Sequence, residues 1–112
     1  MKNYVAPGDM FPFTPSGADY VSGQGALSGT LFGVCAGDIA DGEEGEIETT
    51  GVFQLPKTPS QAWTVGAKVY WTSGGVATTT ASGNTLIGVA YAAVGSGAGE
   101  TLGLVRLNGI PA

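Results

Sequence analysis

The chain has 112 residues, of which 43% are hydrophobic, 12% are charged and 20 are glycine, and its formal net charge is −5. This length supports one domain with one modest core, and a hydrophobic, weakly charged composition excludes an intrinsically disordered chain. Because only four residues are basic, we expect no binding to nucleic acid or to an anionic membrane.

Strand signals recur along the chain, whereas helical periodicity is nearly absent. In chain order the predicted strands cover residues 20–22, 26–35, 46–55, 67–72, 76–80, 85–94 and 102–107. Short strands separated by glycine-containing turns predict an all-β fold, either a small antiparallel β-barrel or a sandwich. We expect a single domain over residues 1–112, with an extended N-terminal arm at 1–15 and a β core at 16–112.

The turn at Gly74-Gly75 predicts a hairpin between the strands at 67–72 and 76–80, because paired glycines supply the positive φ of a tight turn. A chain so rich in small residues must rely on a few large side chains for its core. Those expected in the core are Phe32, Phe53, Trp63, Val69, Trp71, Ile87, Leu104 and Leu107.

Two short patterns occur twice. Residues 31–34 (LFGV) resemble 86–89 (LIGV), and 51–55 (GVFQL) resemble 103–107 (GLVRL). Both copies predict the same unit, an apolar strand that is followed by a loop and a returning strand. The repeated glycines mark bulges or close backbone packing. A chance resemblance in a glycine-rich chain is the alternative.

The inventory of reactive side chains predicts a protein that is not an enzyme and holds no metal or cofactor. There is no histidine, which removes the commonest general base and metal ligand. The single cysteine, Cys35, lies in an apolar run and is expected to be a small buried residue.

The N-terminus lacks the apolar stretch of a secretory signal, so we expect the chain to stay in a cytoplasm or join an assembly made there.

Six of the nine carboxylates lie within residues 38–48. A calcium site is one interpretation, although the spacing does not fit an EF-hand loop. A solvated turn between two strands is the other. A hydrolase that uses Asp38, Asp41, Glu43 and Glu44 is a further, distinct hypothesis.

Three aromatic residues suggest a sugar-stacking platform, namely Trp63, Tyr70 and Trp71. Ordinary core packing is the alternative. Because Tyr70 and Trp71 are adjacent, a strand would point them to opposite faces.

The segment 4–15 combines three prolines with several large apolar residues. An extended apolar arm is suited to docking on the edge of a partner's sheet. The alternative is that this segment forms the first edge strand of its own sheet.

Segments along nearly the whole chain resemble the DUF2190 family of tailed bacteriophages and prophages, described as capsid cement or head decoration proteins. The most specific is 63–71 (WTVGAKVYW), followed by 83–90 (GNTLIGVA). The other segments that carry the resemblance are 1–9, 33–34 with the acidic stretch after it, 51–57 and 105–109.

The resemblance implies a structural protein that binds the outer surface of the expanded head and stabilises it. Its implied partners are the major capsid protein and itself, as a homotrimer at least on the capsid. The implied location is the outer capsid surface of the virion, and the bacterial host cytoplasm during assembly. The alternative function is a β-sandwich glycan-binding module displayed on the virion. The residues hypothesised to dock on the capsid are Lys2, Asn3, Tyr4, Val5, Pro7, Met10, Phe11 and Phe13.

Overall fold

The structure is a computed structural model that describes residues 10–109, and these residues form nine β-strands and no helix. In chain order the strands are β1 (Met10–Phe13), β2 (Gly25–Ser28), β3 (Leu31–Cys35), β4 (Gly45–Glu48), β5 (Thr50–Pro56), β6 (Lys68–Trp71), β7 (Ala77–Thr78), β8 (Thr85–Ala90) and β9 (Leu102–Asn108). One antiparallel sheet has the order β1-β4-β3-β2, and the other has the order β5-β9-β8-β6-β7. The all-β prediction is confirmed, and the two open sheets make the fold a sandwich.

The segment 26–35, predicted as one strand, is a hairpin of β2 and β3. Ser28 pairs with Leu31, so only two residues form the turn. One of them is Gly29, whose φ is 63°. Two-residue hairpin turns favour glycine because its backbone tolerates a positive φ. The prediction of a continuous strand is therefore wrong.

The segment 46–55 is divided between the two sheets. β4 ends at Glu48 in the four-stranded sheet, and β5 begins at Thr50 in the five-stranded sheet. Thr49 is buried at this crossover, and Gly51 has a φ of 117°, in a region that side chains other than glycine rarely adopt. The prediction of a single strand is wrong because the chain changes sheets at Thr49.

The predicted hairpin of the five-stranded sheet is confirmed. Trp71 pairs with Ala77, and the Thr72 amide donates a 2.9 Å hydrogen bond to the Val76 carbonyl. Gly75 in the turn has a φ of 85°. The second strand is shorter than predicted, since β7 contains two residues. The predicted strand at 20–22 is reduced to an isolated bridge between Tyr20 and Ile39.

Two of the repeated glycines, Gly33 and Gly88, mark close backbone packing, which is one of the two predicted roles. A Cβ on Gly33 would stand 2.8 Å from the Glu48 carbonyl oxygen, and one on Gly88 would overlap the Arg106 carbonyl oxygen. The two copies are nevertheless different units. β8 and β9 pair within one sheet, whereas β3 and β5 belong to different sheets. The interpretation of one repeated strand–loop–strand unit is therefore wrong.

Two apolar clusters define the layers of the molecule. The inter-sheet core joins β3 to the five-stranded sheet and consists of Phe32, Val34, Leu55, Trp63, Val69, Trp71, Ala77, Ile87, Ala90, Val105 and Leu107. The second core consists of Phe13, Ala26, Cys35, Ile39 and Ile47. Because neighbours along a strand point to opposite faces, Val34 and Cys35 contact different cores, and the four-stranded sheet lies between them.

Most of the predicted core residues are buried. Phe53 and Leu104 are the exceptions, being half-buried, and the other six belong to the inter-sheet core. Phe32 and Trp71 pack with their ring centroids 4.8 Å apart, which links the two sheets directly.

Candidate functional site

β1 contains the described part of the predicted docking segment. Its three docking candidates, Met10, Phe11 and Phe13, pair with β4, so this part of the segment is an edge strand of its own sheet. The structure therefore realises the second sequence interpretation for Met10–Phe13. The remaining docking candidates, which lie outside the described residues, are Lys2, Asn3, Tyr4, Val5 and Pro7.

The side chains of β1 differ in their availability to a partner. Phe13 is buried in the second core, and its ring packs edge-on against Tyr20 with centroids 5.0 Å apart. Met10 is half-buried, whereas Phe11 is 38% exposed. Phe13 therefore anchors the strand, and Phe11 is the β1 aromatic that a partner can contact.

The entry point of β1 lies beside the crossover between the sheets. Met10 pairs with Glu48, the last residue of β4, and Thr50 begins β5 two residues later. Near the other end of β1, the Ser28 hydroxyl donates a 3.2 Å hydrogen bond to the Pro12 carbonyl. Met10, the first residue that the structure describes, thus lies next to the start of the five-stranded sheet.

The two tryptophans do not form a sugar-stacking platform. Trp63 is 1% exposed and Trp71 is 8% exposed, and both belong to the inter-sheet core. Tyr70 is half-buried on the opposite face of β6. The core-packing alternative is therefore the observed one, and neither indole presents a face on which a sugar ring can stack.

Gln61 holds the loop that follows β5 against β7. Its Oε1 accepts hydrogen bonds from Trp63 Nε1 at 3.0 Å and from the Thr79 amide at 2.9 Å. Its Nε2 donates to Thr78 Oγ1 at 3.1 Å. One glutamine thus satisfies several partly buried polar groups, which fixes the indole of Trp63 in the core.

Lys57 is a buried structural cation, which the sequence did not distinguish from the other basic residues. It is 2% exposed, and its Nζ donates to the carbonyl oxygens of Thr58 at 2.8 Å and Glu100 at 3.2 Å. Nζ also lies 5.7 Å from the centre of the Trp63 ring. These contacts fasten the loop before β9 to the end of β5.

The acidic stretch forms loop-to-loop hydrogen bonds between residues 16–22 and 38–41. Asp38 Oδ1 accepts from the Ser22 amide at 2.9 Å, and Asp41 Oδ1 accepts from the Gly17 amide at 2.9 Å. Within residues 10–109, no group of three or more acidic or cysteine side chains converges as a metal site. The geometry is that of a solvated connection between β3 and β4.

Cys35 is buried in the second core, as predicted. Burial raises the pKa of its thiol above the usual 9.0, because the charged thiolate is disfavoured away from water. A nucleophilic cysteine needs the opposite shift. The thiol therefore acts as a small apolar side chain.

The clefts in the described part of the chain are shallow. One of about 360 Å³ lies at the start of β9, against Gln54, Leu102 and Leu104. Ligand pockets usually enclose about 300–1,000 Å³ and converge several polar groups on the ligand. This cleft is open and of mixed polarity, with Gln54 and Glu100 beside the leucines, and it does not converge several polar groups on one point. No helix long and apolar enough to cross a membrane occurs among residues 10–109.

One of three comparisons with known proteins identifies the family of the chain. No curated protein and no solved structure matches the chain. The family model of the phage cement protein matches residues 5–107, which include every described strand except the last residue of β9. The chain therefore belongs to the phage cement protein family and has the capsid cement role of that family.

Proposed function

We propose that the protein is a non-enzymatic cement protein that binds the outer surface of the expanded phage head and stabilises it through protein–protein contacts. The observation that carries this proposal is the family match over residues 5–107. The openness of the cleft and the burial of both tryptophans also favour contact with protein over binding of a small ligand.

The partners in this proposal are the major capsid protein and further copies of the chain, as a homotrimer on the capsid. A thin core supports this view, because a chain rich in glycine buries little area per residue. Contacts with neighbours on a shell bury additional surface. The protein is then present in the host cytoplasm during assembly and on the virion afterwards.

The segment from Lys2 to Phe13 is proposed to dock on the shell. Its last four residues form β1, which Phe13 anchors in the second core. Met10, the first residue of β1, pairs with Glu48 beside the crossover at Thr49. An apolar segment held at a defined point is suited to adding a strand or inserting side chains into a partner.

Deletion of residues 2–9 tests this docking role. β1 and its anchor remain, so the shortened chain is expected to keep the urea unfolding midpoint of the full chain. We expect its binding to expanded heads, measured by co-sedimentation, to fall by at least about tenfold because the docking contacts are lost. Full binding by the shortened chain would contradict the docking role of this segment.

A matched pair of single substitutions refines the test. Phe11→Ala removes an exposed aromatic from β1, whereas Val65→Ala removes an apolar side chain that is 70% exposed and lies outside the docking segment. We expect Phe11→Ala to weaken head binding and Val65→Ala to leave it unchanged. Equal binding by both variants would remove Phe11 from the docking surface.

A further inference from the structure

A row of side chains crosses four strands of the five-stranded sheet on one face. Val52 of β5 pairs with Arg106 of β9, which is also opposite Val89 of β8. Val89 in turn pairs with Lys68 of β6. Side chains of directly paired residues project on the same side of an antiparallel sheet. These four residues, the cross-sheet row, therefore share one surface.

This surface is the outer face of the sheet, turned away from the inter-sheet core. Along β9, Val105 and Leu107 are buried in that core, whereas the alternating residues Leu102 and Arg106 are exposed. Leu102 is 51% exposed and Val52 is 41% exposed. Solvent-facing sides of antiparallel sheets are usually polar, so apolar residues here indicate a surface that a partner covers.

The extent of the outer face fits an interaction surface. At about 4.8 Å between strands and about 3.4 Å per residue, the residues of β5, β9, β8 and β6 cover roughly 390 Å². The largest apolar patch of a typical monomer covers about 300–600 Å² and is often functional.

The two charges of the cross-sheet row are cationic and unpaired. Lys68 and Arg106 are both exposed, and neither has an ion pair or a side-chain hydrogen bond within the described part of the chain. The other described cation, Lys57, is buried. Every exposed positive charge among residues 10–109 therefore lies in the cross-sheet row, although the chain as a whole is acidic.

Most acidic side chains lie away from this face, and Glu100 is the exception, lining the cleft beside Leu102 and Leu104. Seven of the nine carboxylates fall within residues 19–48. The loop at 36–44 carries four of them and covers the second core through Ile39. The second core is separated from the five-stranded sheet by the four-stranded sheet and the inter-sheet core. The molecule thus has a cationic, apolar face and a solvated acidic side.

We propose that the outer face of the five-stranded sheet, centred on the cross-sheet row, is a shell-facing surface of the protein. The partner surface that it fits is an apolar protein surface on the capsid that places carboxylates opposite Lys68 and Arg106. This inference rests on the proposed cement function.

A charge-matched pair of double variants tests the proposal. Lys68→Gln with Arg106→Gln removes both cations of the row, and Ser16→Glu with Ala40→Glu adds two carboxylates at exposed positions on the acidic side. Each pair makes the net charge more negative by two units. Both are compared with the full wild-type chain in co-sedimentation with expanded heads, after urea unfolding has shown equal stability. Sedimentation velocity of the free proteins reports self-association.

We expect the Gln pair to weaken head binding by at least about tenfold and the Glu pair to leave it nearly unchanged, because only the first removes charges that face carboxylates. A photoreactive amino acid at Val52 should crosslink to the capsid protein, and one at Ala40 should not. If the wild-type chain binds expanded heads and the Gln pair binds them equally well, the sheet-face proposal is overturned and the proposed cement function is not. Loss of self-association without loss of head binding would assign the face to a second copy instead. A wild-type chain that binds no heads would overturn the proposed function as well.

Discussion

Gly88 lies where β8 runs closest to β9. A Cβ at this position would overlap the carbonyl oxygen of Arg106 and stand 2.9 Å from its carbonyl carbon. Both are backbone atoms of the paired strand, so no side chain can rotate to make room. Gly88→Ala therefore requires the two strands to separate by about 1 Å in an interior that is already close-packed.

This separation weakens the three residue pairs that join β8 to β9, from Gly88–Leu107 to Ala90–Val105. A hydrogen bond contributes about 1 kcal/mol net, and overpacking costs about 1–3 kcal/mol. With the equivalent of about two such hydrogen bonds lost in addition to the overpacking, we expect Gly88→Ala to lower the free energy of unfolding by about 3–5 kcal/mol, a large share of the about 5–15 kcal/mol that a domain usually has.

Urea unfolding monitored by tryptophan fluorescence measures this loss, because both indoles are buried in the folded chain. Gly95→Ala is the matched control, since nothing lies within 4 Å of its added Cβ and its φ is outside the left-handed region. We expect the control to change stability by no more than about 1 kcal/mol. If Gly88→Ala behaved like Gly95→Ala, the close approach of β8 and β9 would be refuted.

Two further predictions concern buried polar and ionisable groups. Gln61→Leu leaves the Trp63 Nε1–H and the Thr79 amide without their acceptor, so the free energy of unfolding should fall by about 2–4 kcal/mol. Gln54→Leu, a substitution at an exposed position, is the control, and urea unfolding should show that its free energy of unfolding changes by no more than about 0.5 kcal/mol. An equal loss of stability in both variants would contradict the role of the Gln61 hydrogen bonds. Because burial raises the pKa of Cys35 above 9.0, its unfolded thiol ionises first, and its contribution to stability should decline as the pH rises beyond 9.0. Between about pH 8 and about pH 10, the free energy of unfolding of wild type should therefore fall relative to that of Cys35→Ala. A difference between the two proteins that does not change with pH would contradict the raised pKa of Cys35.

The sequence predicted those features of the fold that depend on local chemistry. Glycines with positive φ specify turns, so the hairpin at Gly74-Gly75 was predictable. Adjacent residues on a strand face opposite ways, which placed Trp71 in the core and left Tyr70 half-buried. The small number of large apolar residues also limited the choice of core, and most of those chosen are buried.

Features set by tertiary contacts were not predictable from one sequence. The strand pattern continues through Thr49, yet the chain leaves one sheet there and enters the other. Nothing local distinguishes this crossover from a continuous strand, because both keep an extended backbone. The hairpin at Gly29 had a local signal, the Ser28-Gly29 pair, but the apolar run around it favoured a longer strand.

The candidate docking surfaces show the same division. The composition of the N-terminal segment indicated docking. The sequence did not indicate that Phe13 anchors this segment by packing in the second core. The cross-sheet row was not predictable, because Lys57, Lys68 and Arg106 look alike in a count of charges. Only strand register reveals that two of them share a face while Lys57 is buried.

The central claim is that the protein stabilises an expanded shell, and the rupture temperature of heads tests it most directly. Expanded heads that lack the protein are heated with and without a saturating amount of it, and unexpanded heads are treated in parallel. The account predicts saturable binding to expanded heads and a higher rupture temperature for them, with no effect on unexpanded heads. Binding that leaves the rupture temperature of expanded heads unchanged would contradict the cement function.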